Sequence, residues 1–132
     1  MTAELGRVVT HRRYVPYSHA HYAGNLVDGA YSLAAFGDVA TELCILTDGD
    51  EGLFASYSDV QFLAPVRAGD VIEIEARLVR LGTRSRELEF ELRVVARGAP
   101  GRGESRADVL EPAIVATTAR GVVVVPPRDH AG

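Results

Sequence analysis

Through the second half of the chain, apolar and charged residues alternate with a period of two. In Val71–Leu81, Ile72, Ile74, Ala76 and Leu78 fall on one face, and Glu73, Glu75 and Arg77 on the other. Arg86–Val95 repeats the pattern, with Leu88, Phe90, Leu92 and Val94 opposite Glu87, Glu89, Glu91 and Arg93. Successive side chains of a strand point to opposite sides, so this alternation predicts antiparallel strands with one wet face. Leu81–Ser85, with Gly82, supplies the hairpin turn between them. Three more β-rich runs, Gly6–Val15, Leu53–Phe62 and Ile114–Val125, predict further strands.

The period changes at Asp28. Asp28–Leu46 is rich in Ala and Leu, lacks Pro, and opens on an acidic residue where the helix dipole favours negative charge. It predicts one long helix, ended by the turn residues Thr47-Asp48-Gly49-Asp50. Gly37 interrupts this helix at a cost of about 1 kcal/mol relative to Ala, which suggests that another backbone or a ligand comes close there. Tyr17–Val27 and the Gly- and Arg-rich Gly98–Arg106 read as loops, and Pro126 onward as a frayed tail. The order strand, helix, four strands implies an α+β architecture in which one helix covers one face of a strongly curved sheet.

Composition narrows the class. A chain of 132 residues suits a single domain, 1–132, with one core. With 47% hydrophobic and 24% charged residues it has an ordinary soluble balance. A net charge of −4 implies no general affinity for nucleic acid or an anionic membrane. The run Val122–Pro126 is far too short to span a bilayer, and Met1–Val9 lacks a signal-peptide core, so a cytoplasmic location is expected. Cys44 is the one cysteine, which excludes an internal disulfide, and no metal-ligand spacing stands out. Cys44 reads as a small core residue rather than a nucleophile, since no paired base is evident near it.

Candidate chemistry concentrates on the helix. The free N–H groups and positive dipole end at its start, Asp28-Gly29-Ala30, suit a developing oxyanion, and Gly29 lets a ligand oxygen approach the backbone. The same residues also read simply as an N-cap and an easy turn. At about 100° per residue, Tyr31, Asp38 and Glu42 share a stripe roughly 40° wide. A carboxylate on a core helix is costly unless it is paired or has a task. Asp38 and Glu42 are therefore candidate bases, or else they reach solvent or pair with arginines across a subunit interface. Of His11, His19, His21 and His130, His21 lies closest in sequence to Asp28 and is the candidate proton shuttle. Arg84 and Arg86, flanking Ser85, have the fork geometry that suits phosphate, or else pair with Glu87 or Glu89 as ordinary surface charge.

Three segments carry a family resemblance: HYAGNLVDGAYSLAAFGDVATE (His21–Glu42), DGDEGLFASYSDVQFLAPVRAGD (Asp48–Asp70) and LVRLGTRSRELEFEL (Leu78–Leu92). Together they resemble the hotdog-fold proteins that act on acyl-CoA, in which a curved antiparallel sheet wraps a central helix. The first two segments most resemble β-aminoacyl-CoA ammonia-lyases, which handle 3-aminobutyryl-CoA and β-alanyl-CoA. The resemblance implies reversible loss of ammonia from an acyl-CoA substrate by a homodimer or higher homo-oligomer, up to a hexamer. It implies thioester binding at Gly29 and Ala30, acid–base work among Asp28, Asp38, Glu42 and His21, and CoA contacts from Arg84, Ser85 and Arg86. Neither a metal nor an organic cofactor is expected. An acyl-CoA thioesterase and a non-catalytic acyl-CoA-binding protein remain open alternatives.

Overall fold

The computed structural model describes residues 4–127; His130 and the end of the expected tail lie outside them. The strands are β1 Val8–Tyr14, β2 Leu53–Phe62, β3 Val71–Leu81, β4 Ser85–Gly98 and β5 Ala107–Val124. The helix, α1, spans Gly29–Asp48. All strand pairs are antiparallel, and the order across the sheet is β1-β3-β4-β5-β2.

The alternation in β3 and β4 sets both register and curvature. Ile74 faces Leu92, Ala76 faces Phe90 and Leu78 faces Leu88, so the apolar residues of the two strands form one continuous inner surface. Onto it α1 lays Ala35, Phe36, Val39, Ala40, Leu43 and Cys44, all buried. Phe36 stacks on Phe90 with ring centroids 4.9 Å apart. By length and composition α1 would suit a membrane span, yet here its apolar side is covered by the sheet. This is the hotdog architecture.

Three boundaries differ from the pattern-based expectation. The helix runs to Asp48 because Gly49, at φ 69°, closes its last turn by donating to the Ile45 carbonyl. Strand β5 begins at Ala107 rather than Ile114. Pro112 obscures this stretch, but it lies where the ladder is interrupted: Val94 pairs with Ile114 and Ala96 with Val109. The intervening residues form an irregularity in which a proline removes no ladder bond. Strand β4 correspondingly extends to Gly98, and the expected Gly98–Arg106 loop shrinks to a turn containing the short 3₁₀ segment Pro100–Arg102.

The loop before the helix is folded back on itself and docked. His21 and Tyr22 donate their N–H groups to the Leu26 carbonyl, Val27 donates to Val66, and Ala68 donates to Asn25. The connector it docks on is held by Asp70, which is fully buried. Its carboxylate accepts the Arg67 N–H at 2.7 Å and the Arg97 fork at 2.9 and 2.9 Å. Two loops are thereby fixed against the helix start.

Candidate active site

Asp28 precedes the helix with extended backbone (φ −71°, ψ 158°) and caps it, Oδ1 accepting the Tyr31 N–H at 2.9 Å. Oδ2 faces His21 Nδ1 at 3.9 Å, too far for a hydrogen bond but close enough for Coulomb attraction to a protonated ring. Among the described residues, no acceptor meets the N–H of Gly29 or Ala30. Two donors at the positive end of a 20-residue helix are therefore open.

Gly29, though not Ala30, lines a cavity of about 400 Å³. The helix contributes Asp28, Gly29 and Ser32, and the preceding loop Tyr22, Leu26 and Val27. The end of β2 and the connector contribute Phe62 to Val66, and β5 contributes Thr117. Most of these groups are apolar, which strengthens any electrostatic interaction made inside. The Phe62 ring edge occupies the space that a side chain on Gly29 would need, since an added Cβ would stand 2.7 Å from Phe62 Cε1. Deeper in, Thr117 Oγ1 donates to Ser32 Oγ at 3.2 Å. Both residues are buried.

The other candidates lie elsewhere. The Tyr31–Asp38–Glu42 stripe faces β1, not the cavity. Arg13 donates to Asp38 at 2.6 Å and His11 pairs with Glu42 at 2.7 Å. Arg13 also lies 5.9 Å above the Tyr31 ring, which His19 meets edge-on at 4.7 Å. The burial that made two helix carboxylates seem costly does not occur: the side chains of Asp38 and Glu42 are 65% and 51% exposed. β1 is an edge strand, so water reaches this side of α1.

The hairpin reading needs a sharper correction at Arg86. Its guanidinium forms a two-point pair with Asp48, at 3.0 and 2.8 Å, with side chains only 12% and 8% exposed. Its Nη1 donors reach the Gly82 and Ser85 carbonyls. That fork is committed within the chain rather than open to a phosphate. Arg84 turns its Nε to the Val125 carbonyl at 3.3 Å. Asp48 is the last helical residue and Gly29 the first, so the hairpin stands about 28 Å along the helix axis from the cavity at 1.5 Å per residue.

Two further expectations resolve simply. Burial pushes the Cys44 thiol up to about 11, with nearby Asp48 adding to the shift; a neutral buried thiol is a packing group. At Gly37 a Cβ would meet only the Tyr57 hydroxyl, at 4.0 Å, so no close approach within the chain requires glycine there. That hydroxyl instead donates to the Leu33 carbonyl at 2.5 Å. Burial, and after it Asp38, pushes Tyr57 up to about 12.

Ser32, Thr117 and Phe62 are cavity residues that pattern reading passes over. Ser32 carried a faint signal as a hydroxyl one turn into an Ala- and Leu-rich helix. Thr117 carried none, because Thr is ordinary in strands.

Known proteins share this fold. Residues 24–98 match the model of the thioesterase superfamily. The chain is 53% identical over 107 residues to the 3-aminobutyryl-CoA ammonia lyase of Acetoanaerobium sticklandii, covering 81% of this chain and 85% of that one. The β-alanyl-CoA:ammonia lyase of Clostridium propionicum superposes with a TM-score of 0.86 at 34% identity, over 96% of this chain and 94% of that one. A hexameric hotdog-fold thioesterase of Campylobacter jejuni superposes with a TM-score of 0.73 at 22% identity, over 90% and 83% of the two chains, which speaks to the fold alone. The chain belongs to the thioesterase superfamily, on the branch that holds the 3-aminobutyryl-CoA ammonia lyase.

Proposed function

We propose that this protein reversibly eliminates ammonia from a β-aminoacyl-CoA of the 3-aminobutyryl-CoA type, giving an α,β-unsaturated acyl-CoA of the crotonyl-CoA type. The observation that carries the reading is a cavity lined by one carboxylate, Asp28, and by Gly29 with its open helix N–H group, in a chain so similar to a lyase of that name. The Gly29 and Ala30 N–H groups polarise the thioester carbonyl and stabilise the enolate that forms on deprotonation. Asp28 Oδ2 takes the α-proton; Oδ1, holding the helix cap, keeps the carboxylate oriented. The electron pair of the Cα–H bond becomes the new C=C bond. The Cβ–N pair leaves with nitrogen, so an ammonium departs as neutral ammonia and the proton stays on Asp28 until released. Electrons and protons balance with these groups alone, so the proposed step calls for no metal or organic cofactor.

The protein acts on acyl-CoA in the cytoplasm as a homo-oligomer. β2 is a ten-residue edge strand, and Leu53, Phe62 and Leu63 on or beside it are 76%, 58% and 61% exposed. A second copy would cover such an edge. Within one protomer only Asp28 of the candidate carboxylates lines the cavity, so Asp38 or Glu42 would have to act from another copy. The same holds for any contact of Arg84 or Ser85 with the CoA phosphates.

The test is direct. The purified protein is incubated with crotonyl-CoA and ammonium, and the thioester is weighed by mass spectrometry. A gain of one ammonia is expected. Free CoA without aminated product would replace the reading with a thioesterase, and binding without turnover would replace it with a carrier or sensor.

A further inference from the structure

We propose that the buried Ser32–Thr117 hydroxyl pair seats the amino group of the substrate and so selects β-aminoacyl thioesters over saturated ones; this deepens the lyase reading and rests on it. Ser32 is 3% exposed and Thr117 1%, yet both line the cavity. Two hydroxyls bring two O–H donors, and the single bond between them uses one. Among the described residues neither hydroxyl has another hydrogen-bond partner. Whichever of them donates, one O–H and several lone pairs are left in a mostly apolar chamber. Buried polar groups normally find partners, so this pair is set for a polar ligand atom.

The position suits a β-amino group. Ser32 lies three residues past Gly29, about 4.5 Å of helix rise, and helix side chains tilt toward the N-terminus, here toward the cavity. A thioester oxygen held by the Gly29 and Ala30 N–H groups places its β-nitrogen two carbons beyond the carbonyl, a reach of the same order.

The chemistry suits it as well. If Asp28 paired with the ammonium it would be a weaker base for the α-proton, so the amine needs a separate, uncharged seat. Hydroxyl lone pairs accept from an ammonium. After the C–N bond breaks, the spare O–H can donate to the lone pair of ammonia. A carboxylate in this place would hold the cation tightly and oppose its departure. In the reverse direction the hydroxyls accept N–H bonds from ammonia and leave its lone pair free for Cβ.

The experiment compares Thr117→Val, which keeps the shape and removes the hydroxyl, with Thr117→Ser, which keeps the hydroxyl, and with Ser32→Ala. Each variant is assayed for amination of crotonyl-CoA against ammonium concentration and for binding of butyryl-CoA by calorimetry. Thr117→Val and Ser32→Ala should each raise the KM for ammonium about tenfold with butyryl-CoA affinity unchanged, and Thr117→Ser should stay near wild type. An unchanged ammonium KM in both hydroxyl-free variants overturns the seat while the lyase reading stands. Equal losses for ammonium and butyryl-CoA also overturn it, since the pair would then only shape the cavity. A wild-type protein that cannot aminate crotonyl-CoA overturns both. Should Thr117→Val fail to fold, Ser32→Ala alone decides, because Ala is favourable within a helix.

Discussion

At the C-terminal end of the helix, Asp48, Thr47 and Arg86 satisfy one another; at the N-terminal end, Asp28, Ser32 and His21 do not. Asp48 takes two bonds from Arg86 and one from the Thr47 hydroxyl at 2.9 Å, and Thr47 also reaches the Leu43 carbonyl at 3.0 Å. A carboxylate at a helix C-terminus opposes the dipole, and Arg86 offsets that charge. The hydrogen bonds that Arg86 donates to Asp48 correspondingly hold its guanidinium above its ordinary value. At the other end one oxygen of Asp28 caps the helix, and His21 stands off at 3.9 Å. Two backbone N–H groups and one hydroxyl proton meet no acceptor among the described residues. Carboxylate, hydroxyl and cation-capable side chain occur at both ends. The closed set holds the fold together, and the open set has valences to offer a substrate.

The strongest way to sharpen the contrast is Asp28→Asn. Asn caps a helix about as well as Asp, so the melting temperature should barely move. Elimination of ammonia should fall about 10²–10⁴-fold, as for a lost general base. Full turnover in Asp28→Asn together with loss in Asp38→Asn would move the base to a second copy of the chain.

Arg86→Ala attacks the closed end. It takes two charge-assisted bonds from a nearly buried Asp48, and denaturant titration should show a loss of about 3–5 kcal/mol. Turnover per folded molecule and the KM for a CoA ester should hold. A selective rise in KM for full CoA esters, with pantetheine thioesters spared, would return Arg86 to phosphate binding. Adding Asp48→Asn should recover part of the stability.

The smallest effect is expected between the ends. Gly37→Ala should raise stability by about 1 kcal/mol, the helix-propensity difference, because the new methyl meets only ordinary contact with Tyr57. Thermal melts and turnover measure it. A destabilised or inactive variant would mean that another copy or a ligand packs against Gly37.

Elements whose period was undisturbed were legible from sequence. The β3–β4 hairpin followed from strict alternation, and the helix from its composition and its acidic first residue. The start of β5 was hidden because Pro112 sits in the irregular stretch where pairing lapses. Of the cavity residues, Asp28 and Gly29 could be named because they are consecutive and mark a helix start. The Ser32–Thr117 pair joins residues 85 apart, and the Arg86–Asp48 pair residues 38 apart. No local pattern encodes which distant side chains a sheet brings together. For Asp38 and Glu42 the helical angle correctly grouped them with Tyr31. Whether that stripe is covered depended on β1 being an edge strand, which is a matter of topology.

By itself, then, the sequence determined periodicity, which is local: which residues face inward, where the helix begins, and that its first N–H groups are free. These depend on backbone geometry over a few residues, and the motif stretches added the family. The tertiary structure alone decided partnership. It closed Arg86 onto Asp48, carried Asp38 and Glu42 to the wet side beside β1, and brought the Thr117 hydroxyl to Ser32 in the floor of the cavity. The physical reason is that a side chain's role depends on its water exposure and on the valences its neighbours leave open, and both are set by strand order and register.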